Sequence, residues 1–109
     1  MAKHEFGIMP QEPQPGVRYD SYEPEVYRCI SVDDVYVEAL DAACADLDCC
    51  WHTRSRNAKG LAYCGITLIP PTSLKEFHAQ LGNSAELCQL KELTERAMEQ
   101  QKWIIHFGI

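Results

Sequence analysis

Residues 49–69 read CCWHTRSRNAKGLAYCGITLI and contain the two stretches with the clearest strand character. Residues 49–53 and 61–69 are rich in apolar, β-branched and aromatic side chains, which favour β-strands. Residues 54–60 between them are polar and end in Gly60, so the segment predicts a hairpin with a seven-residue loop. The long apolar run of residues 61–69 is typical of a central strand that is buried on both faces.

The segment before this hairpin predicts a strand and then an amphipathic helix. Residues 26–31 are β-branched and aromatic. Ser31 begins a Ser-x-x-Asp run ending at Asp34, and such residues cap the free N–H groups of a helix start. The predicted helix covers residues 32–46, and its apolar stripe at helical spacing consists of Val32, Val35, Ala39, Ala43 and Leu47.

Two further helices and a final strand are predicted after the hairpin. Pro70 and Pro71 end the strand, and Ser73 with Glu76 forms a capping box. Gly82 suits the position after a helix end, and Asn83 caps a third helix reaching about residue 101. The inward residues of the two helices are Leu74, Phe77, Leu81, Leu87, Leu90, Leu93 and Ala97. Residues 103–109 are β-rich and aromatic, which predicts a strand docked into the sheet.

Counted from residue 26, the predicted order is βαββαβ, which resembles the ferredoxin-like arrangement. The expected fold is α+β, a two-layer sandwich with helices on one face of an antiparallel sheet. Right-handed crossovers place residues 26–31 and 61–69 at the sheet centre, with 49–53 and 102–108 at its edges. Residues 26–109 form the predicted domain. Residues 1–25, a short strand (residues 4–9) and a proline-rich arm, pack on it.

Charge and cysteine content restrict the classes of function. The 109 residues carry a net charge of −6, and residues 31–50 hold six acids and no Lys or Arg. A nucleic-acid binder needs a basic footprint instead, so nucleic acid is not an expected partner. No apolar run is long enough for a signal-peptide core or a membrane span, which predicts a cytoplasmic protein without a membrane partner. There the six cysteines are interpreted mainly as small buried hydrophobes.

Three residues of the hairpin are the candidates for chemistry. Cys50 and His52 point to one face of a strand, and pairing of His52 with Ala62 would put Cys50 opposite Cys64. Two thiols and an imidazole are soft-metal ligands, and an imidazole can also activate a thiolate. No zinc-type spacing is present, so packing of this face against the helices is the preferred interpretation and no metal is predicted.

The other candidate surfaces are a loop, a sheet face and a helix face. Arg54, Arg56 and Lys59 cluster in the hairpin loop, where they could bind a small anion. Trp51 and Tyr63 share the opposite hairpin face, and an open aromatic sheet face favours a homodimer. The acidic helix face could dock a basic protein partner. It comprises Asp33, Asp34, Glu38 and Asp41.

These patterns favour a small intracellular binding or regulatory protein that is non-catalytic and needs no cofactor. One alternative is a small dimeric α+β enzyme with a Cys/His-containing pocket, since catalytic residues often leave no local pattern. The other alternative is a metal-thiol binding module. The short echo between residues 4–8 (HEFGI) and 106–109 (HFGI) is interpreted as chance.

Overall fold

Six strands and three helices follow one another in the computed structural model, which describes residues 2–109. The strands are β1 (Lys3–Ile8), β2 (Ile30–Asp33), β3 (Asp48–Trp51), β4 (Asn57–Lys59), β5 (Ile66–Ile69) and β6 (Ile104–Phe107). The helices are α1 (Asp34–Ala43), α2 (Leu74–Leu81) and α3 (Cys88–Gln100). Short 3-10 turns precede α2 and α3, at Pro71–Ser73 and Ala85–Leu87. The order of elements confirms the α+β class.

The strands form one antiparallel sheet in the order β2-β1-β6-β5-β3-β4. This arrangement is compatible with a two-layer sandwich, but the ferredoxin-like order is not confirmed, because there are six strands and their order differs. The C-terminal segment is a strand, as predicted, but it lies at the centre of the sheet instead of at an edge. The strand predicted at 26–31 begins only at Ile30 and forms an edge.

The strands β1, β5 and β6 lie in the interior of the sheet because their residues are buried on both faces. All residues of β5 and β6 are buried, and so are the four middle residues of β1. The edge strands β2 and β4 remain largely accessible. The echoing segments 4–8 and 106–109 overlap the neighbouring strands β1 and β6, in which Phe6 pairs with His106. A strand that is apolar on both faces cannot lie at an open edge without exposing one of them.

The hairpin predicted at residues 49–69 is wrong in its details. The predicted loop contains β4, which pairs with β3 through Cys49 and Ala58. On its other side β3 pairs with β5, so that Cys50 faces Leu68. The predicted pairing of His52 with Ala62 does not occur. Gly60, at a left-handed φ of 78°, turns the chain after β4, and residues 61–65 cross over as a loop before β5 begins.

The face of α1 that packs inward also differs from the prediction. Val37 and Leu40 are buried in this helix, whereas Val35 is 62% exposed. Val32 belongs to β2, so the helix starts later, with Asp33 as its N-cap accepting from the Val35 amide at 3.1 Å. The small alanines of this helix are compatible with either rotation, and the larger Val37 and Leu40 side chains gain more by burial.

The two later helices match their predicted faces. All seven predicted inward residues are buried and belong to the core between helices and sheet. The helix α2 ends before Gly82, as expected. The capping box at Ser73 does not form, because its hydroxyl donates to the Asp48 carbonyl at 2.6 Å instead. None of the helices in residues 2–109 combines the length and the apolar character needed to cross a bilayer.

The sheet face away from the helices carries a second, smaller core that is covered by residues 10–29, which are called the arm from here on. Its buried residues are Met9, Cys50, Ile66, Leu68, Ile105 and Phe107. Tyr19, Tyr27 and Cys29 from residues 10–29 pack against them, and the Tyr19 amide donates to the His52 carbonyl at 2.6 Å. This face was expected to be open and to support dimerisation, but the chain covers it with its own proline-rich segment.

Candidate functional site

A concavity rich in polar groups lies where β3 and β4 meet the chain after β5. It has a volume of about 460 Å³, within the usual range for small-molecule sites. We call it the basic cavity. Its lining comprises Asp48, Cys49, Cys50, Arg54, Asn57, Ala58, Lys59, Pro70, Thr72 and Trp103. Two of the three basic residues predicted to bind an anion, Arg54 and Lys59, are therefore brought together at one cavity.

The Arg54 guanidinium is held in place from two sides. Nη1 donates to the Pro13 carbonyl at 3.0 Å and lies 3.7 Å from a Glu12 carboxylate oxygen. The guanidinium carbon is 5.7 Å from the centroid of the Trp103 ring, within cation–π range. Only some of the five N–H donors of the guanidinium are used by these contacts. The remaining donors are therefore available to a ligand in the cavity that Arg54 lines.

Lys59 is paired across the strands with Asp48. The ammonium donates to Asp48 Oδ1, and Asp48 and Lys59 are also directly opposite each other in the β3–β4 ladder. This hydrogen bond and the charge of Asp48 raise the pKa of Lys59, so the side chain stays positively charged. Both side chains are largely exposed, so the pair itself stabilises the fold little. A ligand anion would compete with Asp48 for the ammonium.

The cavity also offers neutral polar groups and an apolar wall. Cys50 Sγ lies 3.4 Å from the Arg54 carbonyl oxygen and 3.6 Å from Asn57 Oδ1. Since Oδ1 faces the thiol, the amide nitrogen of Asn57 remains a donor for other partners. Burial raises the pKa of the Cys50 thiol, and Arg54 opposes this shift. Cys50 therefore acts in the cavity as a neutral polar group.

The other predicted binding residues lie elsewhere. Arg56 is outside the cavity lining, with its guanidinium carbon 5.9 Å from the Trp51 ring centroid. The Trp51 indole donates to the Gly60 carbonyl at 2.9 Å, so this ring serves the turn after β4. Tyr63 is on the 61–65 loop and donates its hydroxyl to Asp34 Oδ1. Trp51 and Tyr63 thus do not form a shared sheet face.

The predicted trio of Cys50, His52 and Cys64 is not one site. Cys50 faces Leu68 and lines the basic cavity, whereas His52 and Cys64 line a separate cavity of about 190 Å³. The reason is the register of β3, which pairs with β5 and not with the 61–65 loop. Across residues 2–109, no cluster of three His, Cys, Asp or Glu side chains is arranged to hold a metal ion.

A buried histidine pair lies between the sheet and α1, and sequence reasoning missed it. His4 Nδ1 and His106 Nε2 are 2.8 Å apart, and both side chains are fully buried. His4 Nε2 is 2.8 Å from Asp34 Oδ1, and His106 Nδ1 is 3.0 Å from the Thr67 hydroxyl. The echo of residues 4–8 in residues 106–109 was the available signal, because it repeats a histidine on two strands.

One set of proton positions satisfies this chain of hydrogen bonds with both rings neutral. Thr67 donates to His106 Nδ1, His106 Nε2–H donates to His4 Nδ1, and His4 Nε2–H donates to the Asp34 carboxylate. Burial, together with a smaller effect of the neighbouring His4, lowers the pKa of His106 to about 3. The hydrogen bonds from Tyr63 and His4 lower the pKa of Asp34.

The acidic residues proposed as a docking face do not act together. Asp33 caps the helix, and Asp34 turns toward the buried histidines. Glu38 is exposed and Asp41 is half-buried. Two of the four carboxylates are thus already engaged within the chain, which weakens the predicted basic-partner surface.

The comparisons with known proteins identify no relative. The chain matches no protein-family model, and neither the curated proteins nor the solved structures give a significant similarity.

Proposed function

We propose that this chain is a small cytoplasmic, non-catalytic binding protein that takes a small organic anion in the basic cavity. The observation that carries the proposal is the convergence of Arg54, Lys59 and the Asn57 amide beside the Trp103 ring. Two cations and an amide donor suit a phosphate or carboxylate, and the ring suits a flat apolar group next to it. All six cysteines are free thiols, which fits a reducing compartment.

The arm supports this proposal because it fixes the guanidinium before any ligand arrives. The contact of Arg54 with the Pro13 carbonyl and its position over Trp103 restrict the rotamers of a long side chain. Ordering such a side chain on binding otherwise costs about 1 kcal/mol, so an ordered Arg54 favours affinity. Binding to the proposed anion therefore depends on the packing of residues 10–29 as well as on β3 and β4.

Self-association and partner docking are less well supported. The sheet face proposed for a homodimer is occupied by Tyr19 and Tyr27 of the same chain. A dimer through that face would need the arm to leave first. The acidic surface retains Glu38 and Asp41 as its free carboxylates. Neither surface offers the convergence of donors that the basic cavity has.

Phenyl phosphate is the probe that tests both halves of the cavity, the cations and the ring wall. We expect it to bind with a Kd of about 1 mM or tighter, measured by titration calorimetry. Inorganic phosphate and phenol should each bind more weakly, because each uses only one half. Arg54→Ala and Lys59→Ala should each weaken phenyl phosphate binding about tenfold through the loss of a charge-assisted hydrogen bond.

Two further variants make the test specific. Asp48→Asn should tighten binding, since it removes the carboxylate that competes for Lys59. Arg96→Ala removes the same charge from the exposed side of α3 and should leave the affinity unchanged. The proposal is wrong if phenyl phosphate does not bind below about 10 mM. It is also wrong if Arg96→Ala weakens binding as much as Arg54→Ala does.

A further inference from the structure

A second cavity, of about 190 Å³, places an acid, an imidazole and a thiol together. Asp20 from the arm, His52 after β3 and Cys64 from the 61–65 loop all line it, beside Gly65 and Phe107. We call it the thiol cavity. Its residues come from three separated parts of the chain, so no local sequence motif records it. It shares no lining residue with the basic cavity.

The hydrogen bonds of His52 leave one ring nitrogen as the base. Nδ1 lies 2.9 Å from an Asp20 carboxylate oxygen and 3.1 Å from the Tyr19 carbonyl oxygen. Both partners are acceptors, so in the neutral ring Nδ1 carries the proton and Nε2 has the free lone pair. A Cβ at Gly65 would come within 2.8 Å of Nε2. His52 Nε2 therefore lies close to the backbone of Gly65, the residue that follows Cys64.

The backbone conformation of His52 also helps to hold its imidazole ring in one position. Its φ of 65° lies in the left-handed region, which a non-glycine residue adopts only when its surroundings hold it there. The amide donates to the Ile66 carbonyl at 3.0 Å, and the carbonyl accepts from Tyr19. Within residues 2–109 no hydrogen bond joins Cys64 Sγ to His52 Nε2, so proton transfer needs a side-chain rotation or one bridging water.

The other cysteines are poor competitors for an electrophile. Cys44 and Cys49 are buried, which raises their pKa to about 12. Burial likewise raises the pKa of the half-buried Cys29 to about 12. Cys64 and Cys88 are the two exposed thiols. Cys88 lies 3.9 Å from a Glu92 carboxylate oxygen, with no imidazole among its contacts in residues 2–109, so it is a matched reference within the same molecule.

We propose that Cys64 is a modification site that undergoes thiol–disulfide exchange with small disulfides, with His52 as its base and Asp20 orienting His52. The Cys64 proton passes to His52 Nε2, and the thiolate attacks one sulfur of the disulfide. A new S–S bond forms as the original S–S bond breaks, and the departing thiolate takes the proton from His52. The small disulfide is itself the oxidant: one of its halves leaves as a thiol, and the other remains bonded to Cys64 in the mixed disulfide.

The size and charge of the thiol cavity suit a small neutral disulfide. A cavity of about 190 Å³ is large enough for one half of a small aliphatic disulfide. Asp20 is paired with both His52 and Arg18, so a neutral disulfide meets little net charge there. This inference does not rest on the proposed anion site, and either could fail without the other.

The test compares Cys64 with Cys88 in the same chain. The protein is treated with bis(2-hydroxyethyl) disulfide, quenched with acid, and the mixed disulfide at each cysteine is quantified by peptide mapping. We expect the initial rate at Cys64 to exceed that at Cys88 by about tenfold, a modest share of what a positioned base can supply. His52→Asn, whose new side chain tolerates the left-handed backbone, should reduce the ratio to within about twofold.

Asp20→Asn should give an intermediate ratio, because His52 keeps its contact with the Tyr19 carbonyl. His78→Gln removes a histidine that pairs with Glu95 on α3, and should leave the ratio unchanged. Labelling of the buried Cys44 in each variant shows whether the fold has opened. Equal rates at Cys64 and Cys88 in the unaltered protein overturn the proposal, and so does a tenfold ratio that survives in a folded His52→Asn variant.

Discussion

Between about pH 7.5 and about pH 5 we expect the free energy of unfolding to fall by about 2 kcal/mol, because of one buried imidazole. His106 is fully buried, and its pKa is lowered to about 3 in the folded protein. In the unfolded chain it returns to the ordinary histidine value of about 6.5. Below that value the unfolded state binds a proton that the folded state does not bind, so the free energy of unfolding decreases as pH falls.

The groups around His106 do not reverse the predicted loss of stability at lower pH. It faces His4 on β1, Thr67 on β5 and Phe6, and it contacts Asp34 only through His4. The pKa of Asp34 is itself lowered, so its stabilisation is lost only as pH falls below its unfolded value of about 3.9. That window lies below the one proposed for His106, and the two effects can be separated.

Urea unfolding at several pH values measures this dependence. The ring proton signals of His106 in NMR spectra provide the second readout, and they should keep the neutral-form shift down to about pH 5. His78→Gln alters a half-exposed histidine, and should leave the pH dependence unchanged. A free energy of unfolding that is flat over this range, or a His106 signal that titrates within it, would contradict the prediction.

Gly108→Ala should destabilise the fold by at least about 3 kcal/mol, since the new methyl group has no room. Its Cβ would overlap the Tyr63 carbonyl oxygen and lie 2.9 Å from the Ala62 carbonyl oxygen. Gly108 lies close to these carbonyl groups because the 61–65 loop is hydrogen-bonded to the residues that follow β6. The Gly108 amide donates to the Gly65 carbonyl at 2.7 Å, and the Ile109 amide donates to the Tyr63 carbonyl at 3.1 Å.

The matched control is Gly82→Ala, after α2. No atom lies within 4 Å of a Cβ there, but its φ of 60° together with its ψ of −143° is a conformation essentially restricted to glycine, which makes alanine unfavourable by about 2 kcal/mol. Gly108 is not among the residues with positive φ, so its larger effect is steric. Denaturant unfolding compares the two variants directly. Equal losses in both would show that the 61–65 loop can move away, and that its position against β6 is not fixed.

The sequence predicted the helices and strands better than it predicted which strands pair with each other in the sheet. The helix α2, the inward face of α3 and the C-terminal strand follow from local apolar spacing, and all three are confirmed. Strand order depends on which strands are buried on both faces, a property of pairing between distant segments. The inward face of α1 was mispredicted because the predicted stripe relied on small alanines, which gain little by burial. The larger Val37 and Leu40 side chains are the ones that the helix buries.

The candidate sites were predicted only where the chemistry is local. Arg54 and Lys59 both fall within the predicted hairpin loop of residues 54–60, and the structure brings both to the basic cavity. The residues that complete the two cavities come from elsewhere, Trp103 from before β6 and Asp20 from the arm. The buried histidines are 102 residues apart in sequence. No window along the chain includes both of them, so only the sheet reveals the pair.

The position of β6 has a consequence for synthesis on the ribosome. One part of the sheet, β2 with β1, and the other, β5 with β3 and β4, are joined only through β6. Until residues 104–107 emerge, each part has an unpaired edge, so this fold of many distant contacts cannot be completed before β6 is available. A nascent chain stalled after residue 103 should therefore remain sensitive to protease in β1 and β5, whereas the released protein resists.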